Sequence, residues 1–228
     1  MTVWAIIPVK PLLRGKSRLA PVLSPKERAM LNRELLIHTL DTLKEIPQID
    51  QVLVVSRDTA VLSLAREQGA RTLQEKGHPQ LNVALTRAIM VAHSYGIPGV
   101  LVIPSDLPLI NSSDVEVILE LGSDPPVVVV VPDWKREGTN ALLVNPPGFI
   151  SPCFGPKSFE RHCQAAREAG ARLEVFKTPS LAMDIDLPED LHVLHGVNLR
   201  GLEQVYAKIP PQKVVNRSHV GLAGGSHV

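Results

Sequence analysis

The sequence is short of cysteine. Its two cysteines, Cys153 and Cys163, lack the second pair that a four-ligand zinc site requires, and they read as reduced thiols of a cytosolic protein. An excess of charge is missing as well: Lys and Arg number 24 against 23 Asp and Glu, a formal net charge of +1. That balance excludes a general nucleic-acid or membrane-surface binder, which carries a marked basic excess, so any positive site must be local. Long apolar runs are also lacking. The aliphatic runs at 127–131 and 100–103 fall far short of the ~20 residues that span a bilayer. The apolar stretch 3–9 precedes the first cation, Lys10, the reverse of the order in an export signal. The expected compartment is the cytoplasm, with neither nucleic acid nor membrane as partner. Two nucleotide motifs are absent too. No Gly-x-x-x-x-Gly-Lys-Ser/Thr and no Gly-x-Gly-x-x-Gly occurs, which disfavours a P-loop ATPase and a dinucleotide enzyme and leaves phosphate binding to another kind of loop.

What is present is an alternation of short apolar runs with amphipathic stretches. The chain has 228 residues, 44% hydrophobic and 21% charged, enough for one α/β domain with a sizeable core. Residues 3–9 read as a buried parallel strand. Ser24-Pro25-Lys26-Glu27 then supplies an N-cap, a proline at the first helical position and the glutamate of a capping box, and Leu36, Leu40 and Leu43 continue that helix. Strands are expected at 51–56, 99–104, 127–131, 141–145 and 172–176, with helices at 59–68, 81–95, 114–121 and 157–169 and a last one ending near His195. Strands alternating with helices make a doubly wound sheet covered on both faces. The domain is expected to span 1–208. Residues 209–228, with Pro210-Pro211 and Gly224-Gly225, read as a flexible tail.

In an open sheet of this kind ligands gather beyond the carboxyl ends of the strands, and three segments stand there. Behind the first strand, Lys10-Pro11-Leu12-Leu13-Arg14-Gly15-Lys16-Ser17-Arg18 places four cations and a glycine. This is either a solvated surface loop or a polyphosphate cradle, in which Gly15 lets amides approach and the cations neutralise charge. Pro104-Ser105-Asp106-Leu107-Pro108 fixes a carboxylate between two prolines at a strand mouth. In Met183-Asp184-Ile185-Asp186 the two carboxylates, two residues apart in extended chain, point to one side, although Asp186 with Glu189 also reads as a helix cap. Taken together, Asp106, Asp184 and Asp186 beside a Lys/Arg loop point to Mg²⁺-bridged triphosphate chemistry with two ions, because Mg²⁺ takes hard oxygen ligands and shares them with phosphate. A fourth segment, Phe154-Gly155-Pro156-Lys157-Ser158-Phe159, opens a helix whose first amides and Ser158 hydroxyl face an incoming anion or simply cap the helix. Gly138-Thr139-Asn140 precedes a strand and offers further donors. His162, four residues after Ser158, is expected to pack or hydrogen-bond rather than to act in catalysis.

These segments resemble, in order, the guanylyltransferases of deazaflavin coenzyme F-420 biosynthesis, called CofC in archaea and FbiD in bacteria. The resemblance spans about residues 3 to 195. It rests on Pro8-Val9-Lys10 with Lys16-Ser17-Arg18-Leu19, Leu81-Asn82, Ser105-Asp106-Leu107-Pro108, Gly138-Thr139-Asn140, Phe154-Gly155 with Ser158-Phe159, and Asp184-Ile185-Asp186. It implies a single-domain, Rossmann-like nucleotidyltransferase fold with a central mixed, mostly parallel sheet between helices, like that of molybdenum-cofactor guanylyltransferases. It further implies that Asp106, Asp184 and Asp186 hold Mg²⁺ and that Thr139, Gly155 and Ser158 hold a phosphorylated acid. Lys10, Lys16, Arg18 and Asn82 would then face GTP, with Lys16 counted among the catalytic groups. Gln80 stands where the family often has Gly, and Gly15 where it often has Ala. The implied acid is phosphoenolpyruvate, with 2-phospho-L-lactate and 3-phosphoglycerate as alternatives. Implied partners are the transferase that consumes the product and a second copy of the chain. Rival readings are a sugar-phosphate or molybdenum-cofactor nucleotidyltransferase and an inactive nucleotide-binding regulator.

Overall fold

The structure, a computed structural model, describes residues 1–209. Expectations for the tail from residue 210 onward lie outside the described residues. Seven strands form one sheet in the order β3-β2-β1-β4-β6-β5-β7: β1 (Val3–Pro8), β2 (Ile49–Ser56), β3 (Arg71–Gln74), β4 (Gly99–Val102), β5 (Val127–Pro132), β6 (Thr139–Asn145) and β7 (Arg172–Val175). All neighbours are parallel except β6, which runs antiparallel to both β4 and β5. The mixed, mostly parallel sheet expected above is therefore present.

Alternation along the buried strands sorts their side chains between two helical layers. Val3, Ala5, Ile7, Leu101, Ile103, Val129 and Val131 face one apolar cluster. It is covered by α1 (Pro25–Lys44), α2 (Thr59–Glu67) and α4 (Ser112–Leu121). Trp4, Ile6, Val100, Val102, Val128 and Val130 face the other, under α3 (Leu81–Ser94) and α5 (Ser158–Glu168). The strands are buried on both sides, which is why they read as continuous apolar runs. Helix α1 begins at the expected capping box: the Ser24 hydroxyl accepts from the Glu27 amide at 3.3 Å, and the Glu27 carboxylate accepts from the Ser24 amide at 2.7 Å.

Four departures have physical reasons. Strand β3 was not expected, because at the sheet edge Arg71 and Gln74 are exposed, Thr72 and Leu73 are half-buried, and the four carry no apolar run. Two short helices, α6 (Pro179–Ala182) and α7 (Glu203–Tyr206), are too brief to show periodicity. The last expected helix is a 3-10 segment, Pro188–Gly196. Its start is capped by Asp190, whose Oδ2 accepts from the amides of Asp186 and Leu187 at 2.9 and 2.6 Å. Asp186 is thereby relieved of the capping role that its spacing to Glu189 allowed.

A third apolar cluster joins the C-terminal segment to the first loop: Leu19, Leu23, Leu31 and Leu35 pack with Ile185, Leu191, Leu194, Leu202 and Ile209. Ile209 is buried within it, so this packing reaches one residue past the expected boundary at 208. Lys208 closes the seam with an ion pair to Glu27 at 2.6 Å. No helix among the described residues is long and apolar enough to cross a membrane.

Candidate active site

A cleft of about 410 Å³ opens beyond the carboxyl ends of β1, β2 and β4, within the size range of small-ligand sites. Lys10, Lys16, Arg57, Asp106 and Asp186 all line it, with Gly15, Asn32, Glu75, Gln80 and Leu81. The cationic loop is thus divided: Lys10 and Lys16 line the cleft, while Arg14 and Arg18 stand outside its wall and are exposed to solvent. Gly15 has a steric reason to lack a side chain. A Cβ there would stand 2.6 Å from Nδ2 of Asn32, the atom that donates to the Leu12 carbonyl at 2.9 Å and holds the loop against α1.

Lys16 adopts a left-handed backbone, φ 53°. Its ammonium, almost fully enclosed, meets Oδ2 of Asp106 at 3.3 Å and the carbonyl of Ile185. The Ile185 amide in turn donates to the Asp106 carbonyl at 3.1 Å, while its side chain is buried beside Leu19. Ile185 therefore clips the two aspartate loops to each other and anchors both in the third apolar cluster. Sequence reasoning missed this role. The available signal was a large apolar residue held between two carboxylates. Arg18 and Asp186 pair at 2.6 Å in a solvent-exposed contact.

Among the described residues no three His, Cys, Asp or Glu side chains lie close enough to cage an ion by themselves. The expectation of three aspartates closing directly on metal is narrowed to this: Asp184 is coupled electrostatically to the other two. Its burial, then the Asp106 carboxylate and, more weakly, that of Asp186 push its carboxyl up to about 6, while Lys16 pulls the other way. Burial and like charge both disfavour the ionised form of a carboxyl.

The second half of the site is made of neutral hydrogen bonds. Thr139 opens β6, and its hydroxyl lies 2.9 Å from Nδ1 of His162. Nε2 of His162 accepts from the Cys153 amide at 2.9 Å. His162 therefore hydrogen-bonds as expected. Asn140, the next residue on β6, donates to the Leu181 carbonyl at 2.9 Å and fixes the approach to Asp184. Gly155 has φ 120°, which an L side chain rarely adopts. Ser158, buried at the start of α5, gives its amide to the Gly155 carbonyl at 3.0 Å, and Phe159 gives its amide to that of Glu137 at 3.3 Å. Those first two amides of α5 are therefore spent within the fold, which corrects the expectation that they face an incoming anion.

Asn82 joins the halves. Its Oδ1 accepts from the Phe154 amide at 2.8 Å and its Nδ2 donates to the Phe154 carbonyl at 3.0 Å, one residue before Gly155 and one after Leu81 of the cleft. Asn82 is not among the cleft-lining residues; its amide works as a strap. Thr139, Gly155 and Ser158 likewise sit beside the cleft rather than in its wall.

Comparison with known proteins places the chain in a family. A family model described as guanylyl transferase CofC like matches residues 3–208. A phosphoenolpyruvate guanylyltransferase of Rubrobacter xylanophilus is 44% identical over 191 residues, covering 84% of this chain and 92% of the relative. A 2-phospho-L-lactate guanylyltransferase of Methanothermobacter thermautotrophicus is 37% identical over 198 residues, covering 86% of each. A solved nucleotidyl transferase from Methanothermobacter superposes with a TM-score of 0.63 at 16% identity, over 86% of this chain and 96% of that one; it speaks for the fold alone. With the family model spanning nearly all of the described residues, the chain belongs to the CofC-like guanylyl transferases, a nucleotidyltransferase family.

Proposed function

We propose that the protein transfers the guanylyl group of GTP to phosphoenolpyruvate, giving enolpyruvoyl-2-diphospho-5'-guanosine and pyrophosphate. The carrying observation is that cations and aspartates line one cleft beyond the ends of parallel strands, with Lys10, Lys16, Asp106 and Asp186 in its wall. The relatives' names support guanylyl transfer to a phosphorylated acid. The phosphoenolpyruvate relative has the higher identity of the two, 44% against 37%, which favours phosphoenolpyruvate; 2-phospho-L-lactate is the second reading. Reduced Cys153 and Cys163 fit a cytoplasmic setting.

The residues suit Mg²⁺. Asp184 is a partly buried acid in need of a cation, Asp106 and Asp186 are hard donors in the same place, and the Asp106 carboxylate and Ile185 carbonyl already hold the Lys16 ammonium. Mg²⁺ ordinarily takes one or two carboxylates and completes its shell with phosphate oxygens and water, so a protein cage of three is not required. When bound by Asp106, Asp184 and Asp186, two such ions would neutralise the triphosphate and the leaving pyrophosphate.

The chemistry asks little of the protein as acid or base. A phosphate ester has a second pKa of about 6 and arrives mostly as a dianion, so it needs no proton removed before it attacks the α-phosphorus in line. The residues supply alignment and charge. Lys10, Lys16 and Arg18 receive the triphosphate, and Thr139 and Ser158 orient the acid beside the bend at Gly155. The Asn82 strap keeps the acid's loop in register with the nucleotide cleft. The test is a competition in which phosphoenolpyruvate, 2-phospho-L-lactate and 3-phosphoglycerate are each supplied with GTP and then with ATP, the products being read by mass. Phosphoenolpyruvate with GTP is expected to dominate. A dominant product from another of the acids or from ATP, or an unchanged GTP pool, would overturn the reading.

A further inference from the structure

His162 is completely buried, yet the transfer reaction gives it no task. Its two ring nitrogens have different neighbours, and one of them leaves no freedom. The Cys153 backbone N–H, 2.9 Å from Nε2, has only a hydrogen to offer, so Nε2 must accept and carries no proton. The two peptides that follow are held in place as well. Arg161 holds the Cys153 carbonyl at 2.6 Å, and Asn82 holds both polar groups of Phe154. The Phe154 ring closes edge-on over the imidazole at 4.9 Å. Burial, and then the Arg161 charge, push the imidazole down to about 4, so near neutrality the ring bears one proton, and Nδ1 carries it.

That proton decides the polarity of Thr139. With Nδ1–H donating to Thr139 Oγ1 across 2.9 Å, one lone pair of the hydroxyl is filled and its single hydrogen is left for another acceptor. With the opposite tautomer the hydroxyl would give its hydrogen to His162 and turn lone pairs toward the ligand, which an anion repels. We infer that His162 is a positioning residue: it fixes the Thr139 hydroxyl as a hydrogen donor for an anionic oxygen of the phosphorylated acid. This rests on the proposed function only for the identity of the recipient. The polarity of the pair follows from the geometry alone.

Two measurements separate those parts. Long-range ¹H–¹⁵N correlation on the histidine-labelled full chain, with His162 assigned by its contacts to the Phe154 ring, should show Nδ1 protonated and Nε2 bare. A ring protonated at Nε2 would overturn the inference whatever the enzyme does. Steady-state kinetics read the recipient. His162→Leu should raise the KM for the acid about tenfold, the scale of one hydrogen bond to a charged group, and leave the KM for GTP within about twofold. His162→Asn, which keeps an N–H near the Nδ1 position, should recover most of that loss. Adding His162→Leu to Thr139→Val should cost little more than Thr139→Val alone, because the two act through one bond. Equal KM changes for both substrates, or additive losses, would show a merely structural histidine. A correct tautomer in a protein that transfers nothing would instead overturn the substrate assignment and keep the donor.

Discussion

The two halves of the site are built from opposite materials. On the side proposed for the nucleotide, charged groups hold one another: Lys16 with Asp106, Arg18 with Asp186, and Asp184 crowded by both aspartates. On the side proposed for the acid, neutral groups are held by hydrogen bonds at close to 2.9 Å, from Thr139 through His162 to Cys153 and from Asn82 to Phe154. The first half keeps charge unsatisfied until a ligand supplies it. The second is tied together internally and presents a fixed pattern, with the Thr139 hydroxyl hydrogen left over for a ligand. A triphosphate with its metals brings charge, whereas an acid of a few atoms must be recognised by geometry, because buried donors left unpaired discriminate more strongly than charge does.

The comparison is broken most severely by removing charge. Asp184→Ala or Asp106→Ala is expected to lower turnover at least about 100-fold, the scale of one transition-state stabiliser, while circular dichroism and melting show an intact fold. Wild-type-like turnover in either purified variant would remove these carboxylates from the reaction.

pH separates the halves by sign. His162 is lowered in the fold from 6.5 to about 4. Between those values the unfolded chain binds a proton that the native protein refuses, so this residue's contribution to stability grows as pH rises from 4 to 6.5 and is lost on acidification, by on the order of 3 kcal/mol in full. Asp184 behaves oppositely. Its carboxyl is raised from 3.8 to about 6, so over that window the native protein holds a proton the unfolded chain has released, and metal-free stability falls as pH rises. Urea melts of the metal-free protein from pH 4 to 7 should therefore tilt apart: Asp184→Asn should gain on the wild type toward pH 7, and His162→Asn should lose less than the wild type toward pH 4. Parallel curves would contradict the contrast. The same logic makes apparent Mg²⁺ affinity fall as pH drops below about 6.

Smaller effects sharpen the division. Ser158→Ala should raise the KM for the acid by about tenfold and that for GTP much less; equal shifts would place Ser158 outside the acid half. Arg18→Ala should change stability by no more than about 1 kcal/mol, since its pair with Asp186 is exposed at both ends and such pairs contribute little. A larger loss in thermal melting would mean that the pair supports the fold.

Much of this was legible before any coordinates. Buried strands on a two-faced sheet read as valine-rich runs, and the capping box at Ser24 is a local pattern that depends on no distant residue. Edge strand β3 gave no signal, because a strand whose ends, Arg71 and Gln74, are exposed needs no apolar run. The antiparallel pairing of β6 with β5 could have been read, because residues 133–138 are too few for the crossover that a parallel neighbour needs; the place of β6 between β4 and β5 could not, because it depends on pairing with a strand far away in sequence. In the site, the acidic and basic residues were visible as residue types at strand ends. The roles of Ile185 and Asn82 were not, since both act through backbone atoms of segments far away in sequence, Asp106 and Phe154. His162 was legible as a hydrogen-bonding histidine, but its tautomer depends on the Cys153 amide, which every residue but proline possesses.

The central claim is that this cleft releases pyrophosphate from GTP only when a phosphorylated acid and a divalent ion are both present. Single-turnover pyrophosphate release from GTP, followed with phosphoenolpyruvate and Mg²⁺ together, with each alone, and in Asp184→Asn, measures this directly. Rapid release is predicted only for the wild type with both. Release that ignores the acid, persists under chelation or survives in Asp184→Asn would contradict it.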